Sequence, residues 1–416
     1  KAAEQSDRQV RLSAINALRR VGDDSCLATL LQIAIADDQE LAQTAQETLA
    51  ELPGQNVDGK IVGLLSSAKE KTYLLLLQLI GQRRIDAVDD VLKALKHSDP
   101  SVRKAALIAL GETVSLKRLP VLISQVVAPE YSEDTPVARE ALKAASVRMP
   151  DREACAAALA MALDRSPDAS KSALLEILSD VGGTSALQTL AMAAKSNDPQ
   201  LQDTSSRLLG TWNSVAAAPV LLDLAKTGPE EKYRVRALRG YLGLARKFAM
   251  SDQDRAEMCQ NAFDATRRIS EHKLALDVLQ LHPSVEGLKL TINAMKTPAL
   301  KDDATAAALV IAQKVGGKGV DISQLLSGVG LDKVKLEIVK AEYGAGSNQR
   351  DVTAVLRKQG GDLPLITLAS ASYNTSFGGD PAPGVVKKLK VQYRINGKTG
   401  EASFAENALI ILPMPK

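Results

Sequence analysis

Between Ser98 and Glu112 the chain reads SDPSVRKAALIALGE, and looser copies of that stretch return about every 30 to 37 residues. Asp99 can cap the free N–H groups of a helix, and Pro100 suits its first turn. Val102, Ala105, Ala106, Ala109 and Leu110 then recur at helical spacing, and Gly111 ends the turn. The variants include DRQVRLSAINALRRVG, DDQELAQTAQETLAEL, SEDTPVAREALKAASV, SPDASKSALLEILSDVGG and SNDPQLQDTSSRLLGTW. Apolar segments such as CLATLLQIAIA, LPVLISQVV and APVLLDLAK lie between them. Each unit is therefore helix, turn, helix, and one such pair cannot bury its own apolar stripe. Stacking about nine or ten of them, from residue 5 to roughly residue 330, solves that problem.

The Asp-Pro turn, the pairs Val10-Arg11 and Val102-Arg103, and the Ala/Leu spacing resemble HEAT repeats. The resemblance implies a mainly α fold, a right-handed HEAT-like α-solenoid over residues 1–315. Projected at 100° per residue, Arg103 falls inside the apolar arc of its helix, and Arg234 falls among Tyr233, Ala237, Leu238 and Tyr241. In the HEAT pattern such inward arginines form a ladder with turn aspartates. Arg11, Arg103 and Arg234 are its expected cations, and Asp7, Asp38, Asp99, Asp134 and Asp198 the expected acceptors.

KYRVRALRGYLGLARK, Lys232 to Lys247, is the densest basic stretch. Lys232, Arg236, Arg239, Arg246 and Lys247 project opposite its apolar arc, and Arg236 and Arg239 are candidate partner contacts. Glu230, Glu231, Asp252 and Asp254 lie nearby to offset the charge. This stretch and the one after it, to about residue 315, are similar to HEAT segments of large exported bacterial proteins. Those often accompany domains of the 3-keto-disaccharide hydrolase type. The resemblance implies a periplasmic or extracellular location and an accessory role near glycan metabolism.

Near residue 316 the period changes. The segment 316–333 is rich in glycine and reads as a linker. From 334 to 416 apolar residues alternate, as in strands. Strand candidates are Val334–Gly344, Leu363–Tyr373, Val386–Ile395, Glu401–Glu406 and Ala408–Pro413, with a short helix near Asp351–Gln359. Asn396-Gly397 predicts a type I′ hairpin turn. A small β-sandwich domain is the expectation. The order AEYGAG, DVTAVLRK, FGGDPAPGVVKKLKVQYRINGK resembles the C-terminal domain of DnaJ-like subfamily C proteins. The loop Phe377–Gly384 reads mainly as a turn, because its glycines and prolines serve a bend. Tyr373, Phe377 and Asp380 are its candidate ligand contacts, by ring stacking on a sugar or a carboxylate contact.

Composition narrows the function classes. Formal net charge is +3, with about 11 basic and 7 acidic side chains from residue 334 onward, so a dense nucleic-acid-binding face is not expected. Trp212 beside the basic helix is the only hint of one. Cys26, Cys155 and Cys259, like the three histidines, are scattered without zinc spacing. No metal site, cofactor site or catalytic residue is expected. Tyr343–Asp351 lacks the third glycine of a dinucleotide loop, where Gln349 stands, and Gly397-Lys398-Thr399 lacks the upstream glycine of a phosphate loop. No apolar run is long enough to span a bilayer. The chain begins at Lys1 with no methionine, as a processed form or fragment would. The reading is a non-enzymatic scaffold for a protein partner, with the β domain as a docking module. Carbohydrate recognition by that domain is the alternative.

Overall fold

The structure, a computed structural model, describes residues 7–316, 322–327, 333–370, 372–408 and 410–415. The chain divides into two compact units, Lys1–Leu209 and Gly210–Lys416.

In the first unit, helices alternate between two layers. Arg8–Val21, Gln39–Glu51, Glu70–Arg83, Pro100–Thr113 and Thr135–Arg148 pack successively against one another. Leu27–Ala34, Val57–Leu64, Val88–Ala94 and Leu119–Val127 each back one of them. Asp7, Asp38, Asp99 and Asp151 accept hydrogen bonds from the first N–H groups of the helices that come after them. The core between the layers is leucine, isoleucine and alanine, as sparse aromatics require. Small residues set how closely the first layer packs. A Cβ on Gly111 would stand 3.0 Å from both Cα and O of Ala141. This is the α-solenoid arrangement expected from the repeats.

The second unit contains the helices Ala218–Thr227, Glu231–Lys247, Asp252–Ala265, Ile269–Leu281, Val285–Ala294 and Lys301–Gly316. Glu231–Lys247 packs on Ile269–Leu281, which packs on Lys301–Gly316. The expected linker 316–333 lies largely outside the described residues, apart from a short helix at Ser323–Ser327.

The C-terminal β structure has β1 (Leu336–Ala345), β2 (Asn348–Asp351), β3 (Leu365–Ile366), β4 (Lys388–Ile395), β5 (Lys398–Ala405) and β6 (Ile410–Ile411). One antiparallel sheet runs β2-β1-β4-β5, and β3 pairs with β6. The β4–β5 turn has Asn396 at φ 52° and Gly397 at φ 86°, the type I′ geometry the sequence predicts. Leu389, Val391, Tyr393 and Ile395 are buried and alternate with exposed Lys388, Lys390, Gln392 and Arg394. The buried face packs on Leu356 of the helix Thr353–Gln359 and on Tyr343, Tyr373 and Phe377.

Two expectations need correction. Of Leu363–Tyr373 only Leu365–Ile366 is strand, and Tyr373 instead opens a one-turn helix, Tyr373–Ser376. The hydroxyl of Ser372 caps that turn by accepting from Thr375 N. Of Ala408–Pro413 only Ile410–Ile411 pairs, and Leu409 lies outside the described residues.

Candidate functional site

Arg103 is the central charge of the first unit, and only 2% exposed. Its Nε donates to Asp134 Oδ2 at 2.5 Å and its Nη2 to Glu133 Oε1 at 2.8 Å. Its Nη1 donates to the carbonyls of His97 and Ser98, both at 3.0 Å, and the guanidinium lies 3.8 Å from the centroid of the Tyr131 ring. The hydrogen bond to Asp134 raises its pKa against the cost of burial. A planar fork of five donors suits this set of acceptors, and a point charge would not.

The other predicted members of the ladder behave differently. Asp99 and Asp198 accept from backbone N–H groups at the start of their own helices. Arg234 donates to the carbonyl of Gly228 at 2.8 Å. Arg11 is half-buried in the first helix.

A second set of arginines went unforeseen. Arg83 Nη1 donates to the carbonyls of Leu49, Ala50 and Leu52, while its Nε reaches Asp58 at 2.7 Å. Arg148 reaches the carbonyls of Gly111 and Val114, and Arg255 those of Ala245 and Phe248. Each satisfies carbonyls that a helix end leaves without partners. Carbonyl acceptors carry no mark in a sequence, which is why this pattern was invisible there.

The basic stretch of the second unit is not an open cationic stripe. Arg239 pairs with Glu271 at 2.8 Å, Lys232 with Glu230 at 3.2 Å, and Lys247 with Asn213 Oδ1 at 2.5 Å. The Arg236 guanidinium lies 5.9 Å from the Tyr233 ring centroid. Arg268 bridges Glu231 and Glu271. The Glu271 side chain is fully buried. Burial pushes its carboxyl up, but hydrogen bonds from Ser270, Arg239 and Arg268 hold it down at about 2. Beside this cluster is a groove of about 360 Å³ lined by Arg234, Arg267, Arg268, Glu231 and Asp264.

The loop Phe377–Gly384 is held from within. Lys387 is 4% exposed, and its ammonium reaches Asp380 Oδ2 at 3.1 Å, the Val385 carbonyl at 3.2 Å and Glu406 Oε1 at 3.3 Å. Asn374 Nδ2 donates to Asp380, and the Tyr343 hydroxyl lies 2.8 Å from Asn374 Oδ1 and 3.0 Å from Glu406 Oε1. Burial opposes the charge on Lys387, yet the carboxylates outweigh it and raise its pKa. Asp380 is held low, first by the N–H of Ala382 and then by Lys387. From the other side, Arg350 donates to the carbonyls of Phe377 and Gly379.

This geometry corrects the ligand contacts expected at Tyr373 and Phe377. Tyr373 is 2% and Phe377 4% exposed, and both rings pack on Tyr343 with centroids 5.2 to 5.5 Å apart. Neither presents a face on which a sugar could stack. Asp380 spends its oxygens on Lys387, Asn374 and Ala382 N. Lys387, buried at the root of the loop, is the residue that sequence reasoning passed over.

Among the described residues no group of histidine, cysteine or carboxylate side chains could hold a metal ion, and no helix is long and apolar enough to cross a membrane. The HEAT-repeat family matches residues 58–143. No curated protein matches the chain. Among solved structures, an engineered protein is 17% identical, with 75% of this chain and 97% of that chain covered and a TM-score of 0.32. Human deoxyhypusine hydroxylase in complex with glycerol is 15% identical, with 70% and 97% covered and a TM-score of 0.25. The karyopherin Kap121p bound to the SUMO protease Ulp1p is 15% identical, with 78% and 40% covered and a TM-score of 0.41. At such low scores and identities the three likenesses say nothing about function. A HEAT-repeat match within a layered helical solenoid, together with a small antiparallel β structure at the C-terminal end, is what the chain presents.

Proposed function

We propose that this chain is a protein-interaction scaffold, with its helical surface binding a protein partner and the C-terminal β structure serving as a second docking module. One observation supports this most. Met161 and Met192 are 62% and 69% exposed, and they lie on Arg152–Arg165 and Gly183–Ala193, helices that pack against each other. Two flexible, polarisable side chains left in water on adjoining helices suit a surface that moulds to a partner. Stacked helix pairs also offer extended recognition surfaces without a central pocket. A non-catalytic role, an exported location and a place beside glycan-processing proteins belong to the same proposal and rest on the family resemblance.

The test compares tagged wild-type chain with the Met161→Glu/Met192→Glu double variant as baits in lysate and secreted fractions of the source organism. A partner captured by the wild type and lost by a variant of unchanged circular dichroism supports the reading. Capture of the same partners by both overturns the role of this surface.

A further inference from the structure

Strand β5 ends the four-stranded sheet, and among the described residues nothing pairs with its far side. The Asn396-Gly397 turn determines which backbone groups face outward. Ile395 and Lys398 flank this two-residue turn as the first hydrogen-bonded pair, and bonding alternates from there along the strand. The N–H and C=O groups of Thr399, Glu401 and Ser403 therefore point away from β4. β5 is 8 residues long and runs in unbroken register with β4, with neither a proline nor a bulge to blunt it. Such an edge is a template for another strand.

We propose that this edge pairs with the same edge of a second copy of the chain, antiparallel about a two-fold axis between the two Ala402 residues. The charges select that register. Centring the axis on Glu401 would set two glutamates opposite each other, and like charges directly opposed destabilise a ladder. Centring it on Ser403 would leave the two Lys390 side chains in one row across the axis, each one strand behind its own Ser403 and with no carboxylate between them. Centring on Ala402 places each Glu401 opposite the partner's Ser403, with the partner's Lys390 immediately behind that small residue. Lys390 has no ion-pair partner among the described residues, and Glu401 accepts only from Gln392 Nε2, at 3.0 Å. On the other face the same register sets Gly400 opposite the partner's Phe404, which is half-buried within its own subunit. Two four-stranded sheets thereby become one continuous sheet, as an isologous contact requires.

The test is the mass in solution of the full chain, by sedimentation velocity with light scattering. The wild type sediments as two chains. Ser403→Pro removes an outward N–H while sparing the ladder to β4, and proline is tolerated at such edge positions, so this variant runs as one chain with unchanged circular dichroism. Glu401→Lys weakens association about tenfold, and adding Lys390→Glu restores it by exchanging the charges across the axis. A monomeric wild type overturns the proposal. So does a dimer that Ser403→Pro leaves intact, or a charge exchange that restores nothing.

Discussion

Arg103 in the first unit and Lys387 in the second are both buried cations held by two carboxylates, yet they do different work. Arg103 joins residues 30 and 31 positions apart in sequence, so its fork ties one helical repeat to the next. Lys387 reaches back 7 positions to Asp380 and forward 19 to Glu406, closing a single loop. The difference follows from shape. The guanidinium serves four acceptors in fixed directions, whereas the ammonium is a compact charge that gathers whatever oxygens surround it. Their carboxylates differ as well. The Asp134 side chain is 8% exposed, against 32% for Asp380 and 23% for Glu406. Losing the cation should therefore cost more at the first site.

Arg103→Met is expected to have the largest effect, lowering Tm by about 10 °C, because it strands a buried carboxylate. Thermal unfolding of that variant, and of Arg103→Met/Asp134→Leu, checks this. The double variant should recover part of the loss, and no recovery would mean that the carbonyl bonds matter more than the ion pair. Gly111→Val should cost about 2 to 3 kcal/mol in urea unfolding, since its side chain would press on the backbone of Ala141. Lys387→Met should lower Tm by only about 3 to 5 °C, because water can reach its two carboxylates. If it matches Arg103→Met, the contrast between the two sites fails.

The pH dependence sharpens the same contrast. Glu271 is held below its ordinary value, so its stabilisation is complete above about 4.5 and is lost as pH falls toward about 2. Glu271→Gln should therefore flatten the acid limb of the stability curve. Lys387 has a raised pKa, so its contribution is complete below its unfolded value and is lost only in strong alkali. The smallest effect is expected for Arg118→Ala, which removes an exposed pair with Asp89 and should shift Tm by about 1 °C or less.

The helical stack was legible because its signal is periodic: an Asp-Pro start, small and apolar residues on one face, and a repeat that recurs. That periodicity also showed that Arg103 points inward, and the resemblance to HEAT repeats put Asp134 among its expected acceptors. Its bonds to His97 and Ser98 were not readable, nor were the helix-end contacts of Arg83, Arg148 and Arg255, since carbonyls are anonymous in a sequence. Aromatic residues beside glycines supplied the candidate ligand contacts of a loop that otherwise read mainly as a turn. Tyr373 and Phe377 look like a stacking platform on paper, but they pack on Tyr343. Lys387 looked like one more residue of an alternating basic strand. Its burial depends on Asp380 and Glu406 converging from opposite sides of the chain, which a local pattern does not show.

The proposal that the helical surface receives a partner is tested most directly by methionine oxidation footprinting of the chain alone and with its captured partner. Met161 and Met192 should oxidise quickly in the free chain and become protected in the complex, while Met149 and Met258, at 4% and 8% exposure, stay slow in both. Unchanged oxidation of Met161 and Met192 in a complex shown to be intact would contradict it.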